Sequence, residues 1–357
     1  MGNIINKPSY QELFEQKITP FGGVLYNESD VVFDFSNTSI EFETLEKITF
    51  EIEFRTNDIM GVDYIYYLSH IYVKIYIDGE CVHQKRITYK TPEDERMITI
   101  EANHKVKIVK VSEPLLGVVC IKNLLNLPIK RIDSNDQISE RKTKVEFIGG
   151  SIVSGYGNDH PDNRMLHTDW DKTWCKHLCN HFNWEPLVHS YSGMGLVQNS
   201  GGEKEDQIDE RRRRILGYDK STVFDYNTFQ ASYVFMNIGT NDFCGKATEP
   251  LRTEWLERMK QLIYELHQNY GNGIKIFIVI QPMLFEVVAN VMKEIPGLFD
   301  DDEQIKKNIH VITSFFDRND EEKWKLYVGE CYHPTELGHK VFADQLIPQI
   351  EQILNSQ

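Results

Sequence analysis

The chain has 357 residues, 41% of them hydrophobic and 11% aromatic, with 39 basic and 54 acidic side chains for a formal charge of −15. This is more chain than one core usually holds, so two domains are expected. The acidity speaks against nucleic acid and anionic membrane as partners, which need a basic surface, and suits a neutral or cationic small substrate. The one basic block, Arg211 to Arg214, reads as a solvated loop or helix face. Six scattered cysteines (Cys81, Cys120, Cys175, Cys179, Cys244 and Cys331) lack the density of a secreted scaffold, so reduced thiols are expected. The first residues show neither a basic nor an apolar signal region, no apolar run approaches a membrane span, and Asn6 stands where myristoylation wants Ser or Thr. A cytoplasmic location is the expectation.

The first third reads as β. Ile48, Phe50, Ile52 and Phe54 alternate with polar residues, and Ile71, Val73, Ile75 and Ile77 do the same before a turn at Asp78-Gly79. Val106 and Ile108 continue the pattern, and no strong helical pattern interrupts it. Short strands at this spacing predict a jelly-roll sandwich over residues 1–126. The polar stretch 127–143 reads as a linker.

From residue 144 the pattern becomes strands alternating with helices. KVEFIG is a strand, a helix follows from Asp169, and EPLVHSYSG and ASYVFMNIG are strands ending at Gly193 and Gly239. A long helix has Pro250 near its start and Gly271 just past its end, with Leu256, Met259, Ile263, Leu266 and Tyr270 on one face. IKIFIVIQPM and NIHVITSFF are further strands, and a helix closes the chain. This order predicts a doubly wound parallel α/β domain over residues 144–357.

In such sheets ligands bind at the carboxyl ends of the strands. Those ends carry Gly149-Gly150-Ser151, then Ser190 to Gly195, then Gly239-Thr240-Asn241-Asp242, and near the chain's end Glu330-Cys331-Tyr332-His333-Pro334. A serine, a glycine with an unobstructed N–H, an asparagine amide and a histidine are the parts that acyl transfer needs. Serine requires a base, and the tetrahedral intermediate requires donors aimed at its oxyanion.

These four blocks, in this order, resemble the SGNH (GDSL) hydrolase superfamily over about the last 215 residues. "GTND" and the final His-Pro are the most specific pieces. The leading β domain, with "SGMGLVQNSGGEKE" and "NIGTNDF", makes the chain similar to carbohydrate esterase family 2. The resemblance implies a jelly-roll domain ahead of a flavodoxin-like hydrolase domain that removes acetyl groups from sugars. It implies Ser151 as nucleophile, His333 as base, and an oxyanion hole formed by Ser151, Gly193 and Asn241. Glu330 holds the position of the orienting acid. Some members of that family use a Ser–His pair with a backbone carbonyl instead. Two departures stand out: Gly150 replaces the usual aspartate before the serine, and Glu330 replaces the usual aspartate before the histidine. No cofactor is implied.

Rival readings remain open at this point. Gly-Gly-Ser alone fits an ordinary turn, and Val153 excludes the Gly-x-Ser-x-Gly elbow. His160-Pro161 is a second candidate base, nine residues beyond Ser151, roughly 13 Å of helical rise. Cys175, His177, Cys179 and His181 invite a metal, but the cysteines and histidines fall on different faces and no HExxH glutamate is present; the cysteines are expected to pack inward. Tyr332 and Phe243 are candidate substrate-binding aromatics, with Trp324 a lesser one, while Trp255 reads as core. The expected partner is an acetylated carbohydrate, with homo-oligomerisation left open. The functional expectation is an acetyl esterase of sugars or xylo-oligosaccharides. Its alternatives are a lysophospholipase or thioesterase, and a non-catalytic glycan-binding protein.

Overall fold

The computed structural model describes residues 8–56, 69–132, 142–160, 167–244, 246–329 and 332–356. Among them the leading part is an antiparallel two-sheet sandwich. Its strands are β1 (Thr19–Phe21), β2 (Val24–Asn27), β3 (Asp30–Phe33), β4 (Ser39–Thr44), β5 (Ile48–Arg55), β6 (Ile71–Ile77), β7 (Glu80–Ile87), β8 (Met97–Ile100), β9 (Lys105–Lys110), β10 (Val118–Ile121) and β11 (Ile129–Lys130). One sheet runs β1-β4-β9-β6-β7 with β11 beside β4, and the other β2-β3-β10-β5-β8. The predicted alternation holds in β5, where Ile48, Phe50 and Ile52 face the core. The β6–β7 hairpin turns at Asp78 and Gly79, both with positive φ (52° and 89°), the geometry that suits the twist of two strands. In β6 the outward residues Tyr72 and Lys74 are buried too. The second domain covers them: the Lys74 ammonium lies 2.9 Å from Asp169 and 2.7 Å from Asp171.

Three expectations need correction. A helix, Tyr10–Lys17, precedes the sandwich, started by a capping box in which Ser9 and Glu12 satisfy each other's N–H groups. Leu13 and Phe14 pack it onto the sandwich core. The stretch 127–143 is not all linker, since β11 pairs with β4 through Ile129 and Lys130. The helix expected from Asp169 begins only at Trp174, after a 3₁₀ turn at Trp170–Lys172.

The second domain is a five-stranded parallel sheet of β12 (Thr143–Gly149), β13 (Trp184–Ser190), β14 (Tyr233–Asn237), β15 (Lys275–Ile280) and β16 (Ile309–Thr313). Its order is β13-β12-β14-β15-β16. Phe147, Phe235 and Phe277 stack across one face, with centroids 5.1 and 4.5 Å apart, beneath Trp174 of the Trp174–Phe182 helix and Phe342 of the terminal helix. The other face packs on the helix Glu249–Tyr270 through Trp255, Leu256, Met259, Ile263 and Leu266. Cys175 and Cys179 point into the core, whereas His181 pairs with Glu351 at the surface.

The basic block is not a solvated face. Arg211, Arg212 and Arg214 are buried. A buried guanidinium requires a partner, and each has one. Arg211 and Arg214 bond Asp206; Arg212, 0% exposed, reaches Glu146 at 3.1 Å and Glu265 at 2.8 Å. Glu146 lies in the middle of β12 and is itself fully buried. It also accepts hydrogen bonds from Tyr270 at 2.8 Å and pairs with His189 Nδ1 at 2.6 Å. Burial pushes this carboxyl up, but the Arg212 charge and the His189 bond outweigh it and bring its pKa to about 2, against an ordinary 4.5. A carboxyl depressed on folding stabilises the protein above its unfolded value. That stabilisation declines as pH falls from 4.5 toward 2. In Glu146→Gln this part of the acid decline is expected to be absent from urea denaturation curves. Arg212→Met, which strands the carboxylate, is expected to lose about 3–5 kcal/mol at neutral pH in the same measurement.

Candidate active site

Strand β12 ends at Gly149, and the chain turns at once into a single helical turn, Ser151–Ser154, closed by Gly155. Ser151 therefore starts a helical turn, where the first N–H groups have no intrahelical acceptor. Its hydroxyl lies 2.7 Å from Nε2 of His333. This contact joins residues 182 positions apart and brings His333, of the two candidate bases, to Ser151. His160 instead faces His167, with ring centroids 5.1 Å apart.

His333 is held where a short loop meets the terminal helix Glu336–Asn355. Gly329 N–H donates to the His333 carbonyl at 2.8 Å, Val328 bridges Pro334, and Thr335 caps the helix through the Gly338 N–H. The ring of Tyr156, from the turn after Ser151, lies 4.7 Å from the imidazole, so the segment that follows Ser151 backs His333. Glu330 lies outside the described residues. Tyr332, beside the histidine, is 72% exposed and has φ 57°, an uncommon conformation for a non-glycine residue. Its ring stands in the open beside the base. Phe243, the other aromatic candidate, is corrected: it is 2% exposed and packs on Trp255 in the core, so it offers no face to a substrate. Trp255 is buried, as read, and Trp324 packs partly buried, with the Arg318 guanidinium 5.3 Å from its ring centroid.

The second and third strand ends meet beside Ser151. Gly193 has φ 80°, which glycine adopts without a Cβ penalty, and it lies in the turn closed by Met194 N–H on the Tyr191 carbonyl. The neighbouring Met194 carbonyl accepts the Asn241 side-chain amide at 2.7 Å. Gly150 packs closely against Asn241. A Cβ there would stand 2.9 Å from the Asn241 amide nitrogen, closer than real contacts allow. Asn241 thus occupies the space that a side chain at position 150 would need.

One supporting residue escaped the sequence reading. Asp242, fully buried, accepts the backbone N–H groups of Leu196 at 2.8 Å and Val197 at 2.6 Å, with Gln198 at 3.3 Å. Burial raises its carboxyl pKa and these bonds oppose the rise. It fastens the loop that carries Gly193 to the turn that carries Asn241. The signal was present: the aspartate directly follows Asn241 in the "GTND" block.

The GDSL-like Lipase/Acylhydrolase family profile matches residues 145–346. Among curated proteins, the cellulase/esterase CelE of Acetivibrio thermocellus is 26% identical over 215 residues, 59% of this chain and 26% of that one. The acetylxylan esterase / glucomannan deacetylase of Cellvibrio japonicus is 21% identical over 230 residues, 60% of this chain and 61% of that one. The matches therefore span less than two thirds of either relative. Among solved structures, a family two carbohydrate esterase from Clostridium thermocellum in complex with cellohexaose superposes with a TM-score of 0.72 at 20% identity, covering 95% of this chain and 99% of that one. A family two carbohydrate esterase from Cellvibrio japonicus gives 0.70 at 16%, covering 95% and 96%. These likenesses extend over the sandwich as well as the parallel sheet and show a shared two-domain fold.

The Gly150 geometry is directly testable. Gly150→Asp, which installs the residue usual in the resembled superfamily, is expected to push the Asn241 amide aside. Turnover of p-nitrophenyl acetate should fall by about tenfold or more while the thermal midpoint shifts little, as when one oxyanion donor is misplaced.

Proposed function

The chain belongs to the GDSL-like lipase/acylhydrolase family, and from that premise we propose a serine esterase that removes O-acetyl groups from sugars or xylo-oligosaccharides. The observation that carries the reading is the 2.7 Å contact between His333 Nε2 and Ser151 Oγ at the carboxyl edge of the sheet. A neutral imidazole at that distance takes the hydroxyl proton as Oγ bonds to the acetyl carbonyl carbon. The carbonyl oxygen becomes an oxyanion. The Ser151 N–H, the Gly193 N–H and the Asn241 amide receive it. Asn241 has two N–H donors, of which Met194 engages one, so the other serves the oxyanion. The tetrahedral intermediate collapses, the C–O bond to the sugar breaks, and His333 returns the proton to the departing sugar oxygen. Water then attacks the acetyl-Ser151 carbonyl, giving its proton to His333, and acetate leaves as Oγ recovers a proton.

The sugar half of the proposal draws on the relatives. One is named an acetylxylan esterase and glucomannan deacetylase, and one solved neighbour holds cellohexaose. Tyr332 supports it from within the chain. An exposed ring beside the base offers the flat apolar face that sugar rings stack on. Glu330 is proposed as the acid that orients His333 through its Nδ1–H.

The test is acetate release from acetylated xylan, with p-nitrophenyl acetate as a second substrate. Ser151→Ala should keep the fold and lose about three decades or more of turnover, and Asn241→Ala about two to three decades. Near-normal turnover by Ser151→Ala would overturn the assignment. Glu330→Gln should cost about four decades if it is the orienting acid, whereas a loss under about tenfold would give that role to a backbone carbonyl.

A further inference from the structure

We propose that Glu113 of the sandwich is a positioning residue of the catalytic site, holding the Tyr191–Ser192 peptide that leads into Gly193 so that the Gly193 N–H points at the oxyanion. This rests on the reading of Ser151 as nucleophile and of Gly193 as oxyanion donor.

The strand-end loop after β13 is clamped from below by two carboxylates that belong to the other domain. Glu113 is 0% exposed, and its Oε2 accepts the Ser192 N–H at 3.2 Å. One residue earlier, the Tyr191 hydroxyl donates to Asp34 Oδ2 at 2.8 Å, and the same oxygen accepts the Gly217 N–H at 2.9 Å. Arg211 lies 4.7 Å from the Tyr191 ring centroid, closing the clamp on its other side. Ser192 thus enters Gly193 with its N–H already engaged and its neighbour anchored. Gly193, at φ 80°, has no side chain to set its own orientation. A residue so free needs the chain that leads into it fixed from outside.

The chemistry of the clamp fits this role better than simple domain adhesion. Two buried carboxylates are costly unless compensated. Lys110, also fully buried, donates to the main-chain carbonyls of Ser112 at 2.9 Å and Glu113 at 2.8 Å, and so places its amine in the same pocket. Burial pushes Glu113 and Asp34 up and Lys110 down, while Lys110 opposes the rise at both acids. An apolar contact would hold two domains together without these costs. Acceptors are needed here because the target is a backbone N–H. Elsewhere on the same interface Asn37 donates to the Pro186 carbonyl at 3.1 Å, at the far end of β13 from the site.

The experiment compares kcat and KM for p-nitrophenyl acetate in the full chain. Glu113→Gln keeps an acceptor oxygen, Glu113→Met removes it at similar volume, Glu113→Asp withdraws it by one methylene, and Asn37→Ala loosens the interface away from the site. The expected result is a kcat lower by about tenfold or more in Glu113→Met and Glu113→Asp, with KM within about twofold, as for an interaction made only in the transition state. Glu113→Gln should recover kcat to within about threefold, and Asn37→Ala should lower the thermal midpoint without changing kcat. If Glu113→Met does not fold, Glu113→Asp decides alone. A kcat within about twofold of the parent in the folded variants, a loss confined to KM, or an equal loss in Asn37→Ala would overturn the proposal. Ser151→Ala run alongside separates the two readings. If it retains activity the esterase reading fails; if it loses activity and the Glu113 variants do not, only the positioning role fails.

Discussion

A fully buried carboxylate, Glu146, constrains the rest of the catalytic domain. It stands in an interior strand of a parallel sheet, among Val145, Phe147 and Ile148, where an uncompensated charge would oppose folding. Compensation comes from His189 on β13, Arg212 in the basic block and Tyr270 at the end of the long helix. Those partners meet the carboxylate in one register only, since a slip by one residue turns every side chain to the opposite face. In the observed register Gly149 stands opposite both Ser190 and Asn237. Three strands therefore end level, and the segments bearing Ser151, Gly193 and Asn241 leave the sheet at one edge. The alignment of the site follows from satisfying a charge on the strand that leads into it.

At that edge the reacting groups are held by acceptors aimed at backbone N–H groups. Asp242 fastens residues 196–198, Glu113 fastens Ser192, and Met194 offers its carbonyl to Asn241. Preorganised dipoles stabilise developing charge best when they need not reorganise as it appears. Loops alone supply such rigidity poorly, and here they borrow it from buried carboxylates. The base is treated differently, with an aromatic ring from the nucleophile's turn on one side and a helix start behind it.

Much of this was legible in the sequence. The change from a two-residue to a helical period separates the antiparallel sandwich from the parallel sheet, and the four strand-end blocks hold Ser151, Gly193, Asn241 and His333, which the fold brings to one edge. What was not legible depended on long-range compensation. The arginine run reads as solvated because four adjacent charges usually are, and only the positions of Asp206, Glu146 and Glu265 in space reverse that. Phe243 follows Asn241 closely enough to suggest a substrate contact, but the turn Thr240–Phe243 rotates its ring into the core. The Ser9–Glu12 capping box was readable, and the surrounding strand patterns obscured it. The close neighbour of Gly150 was hidden as well, because Asn241 lies 91 positions further along the chain.

The interface between the halves also bears on how such a protein can change over evolutionary time. The sandwich presents Asp34, Lys74, Lys110 and Glu113 to the hydrolase domain, and each finds a buried partner there or serves one. A recombination joining this hydrolase domain to a different leading module would leave buried polar groups on both sides of the junction without their partners. The two halves are thus bound to be inherited together, and sequence change at the seam is expected to proceed by paired substitutions across it and not by exchange of whole modules.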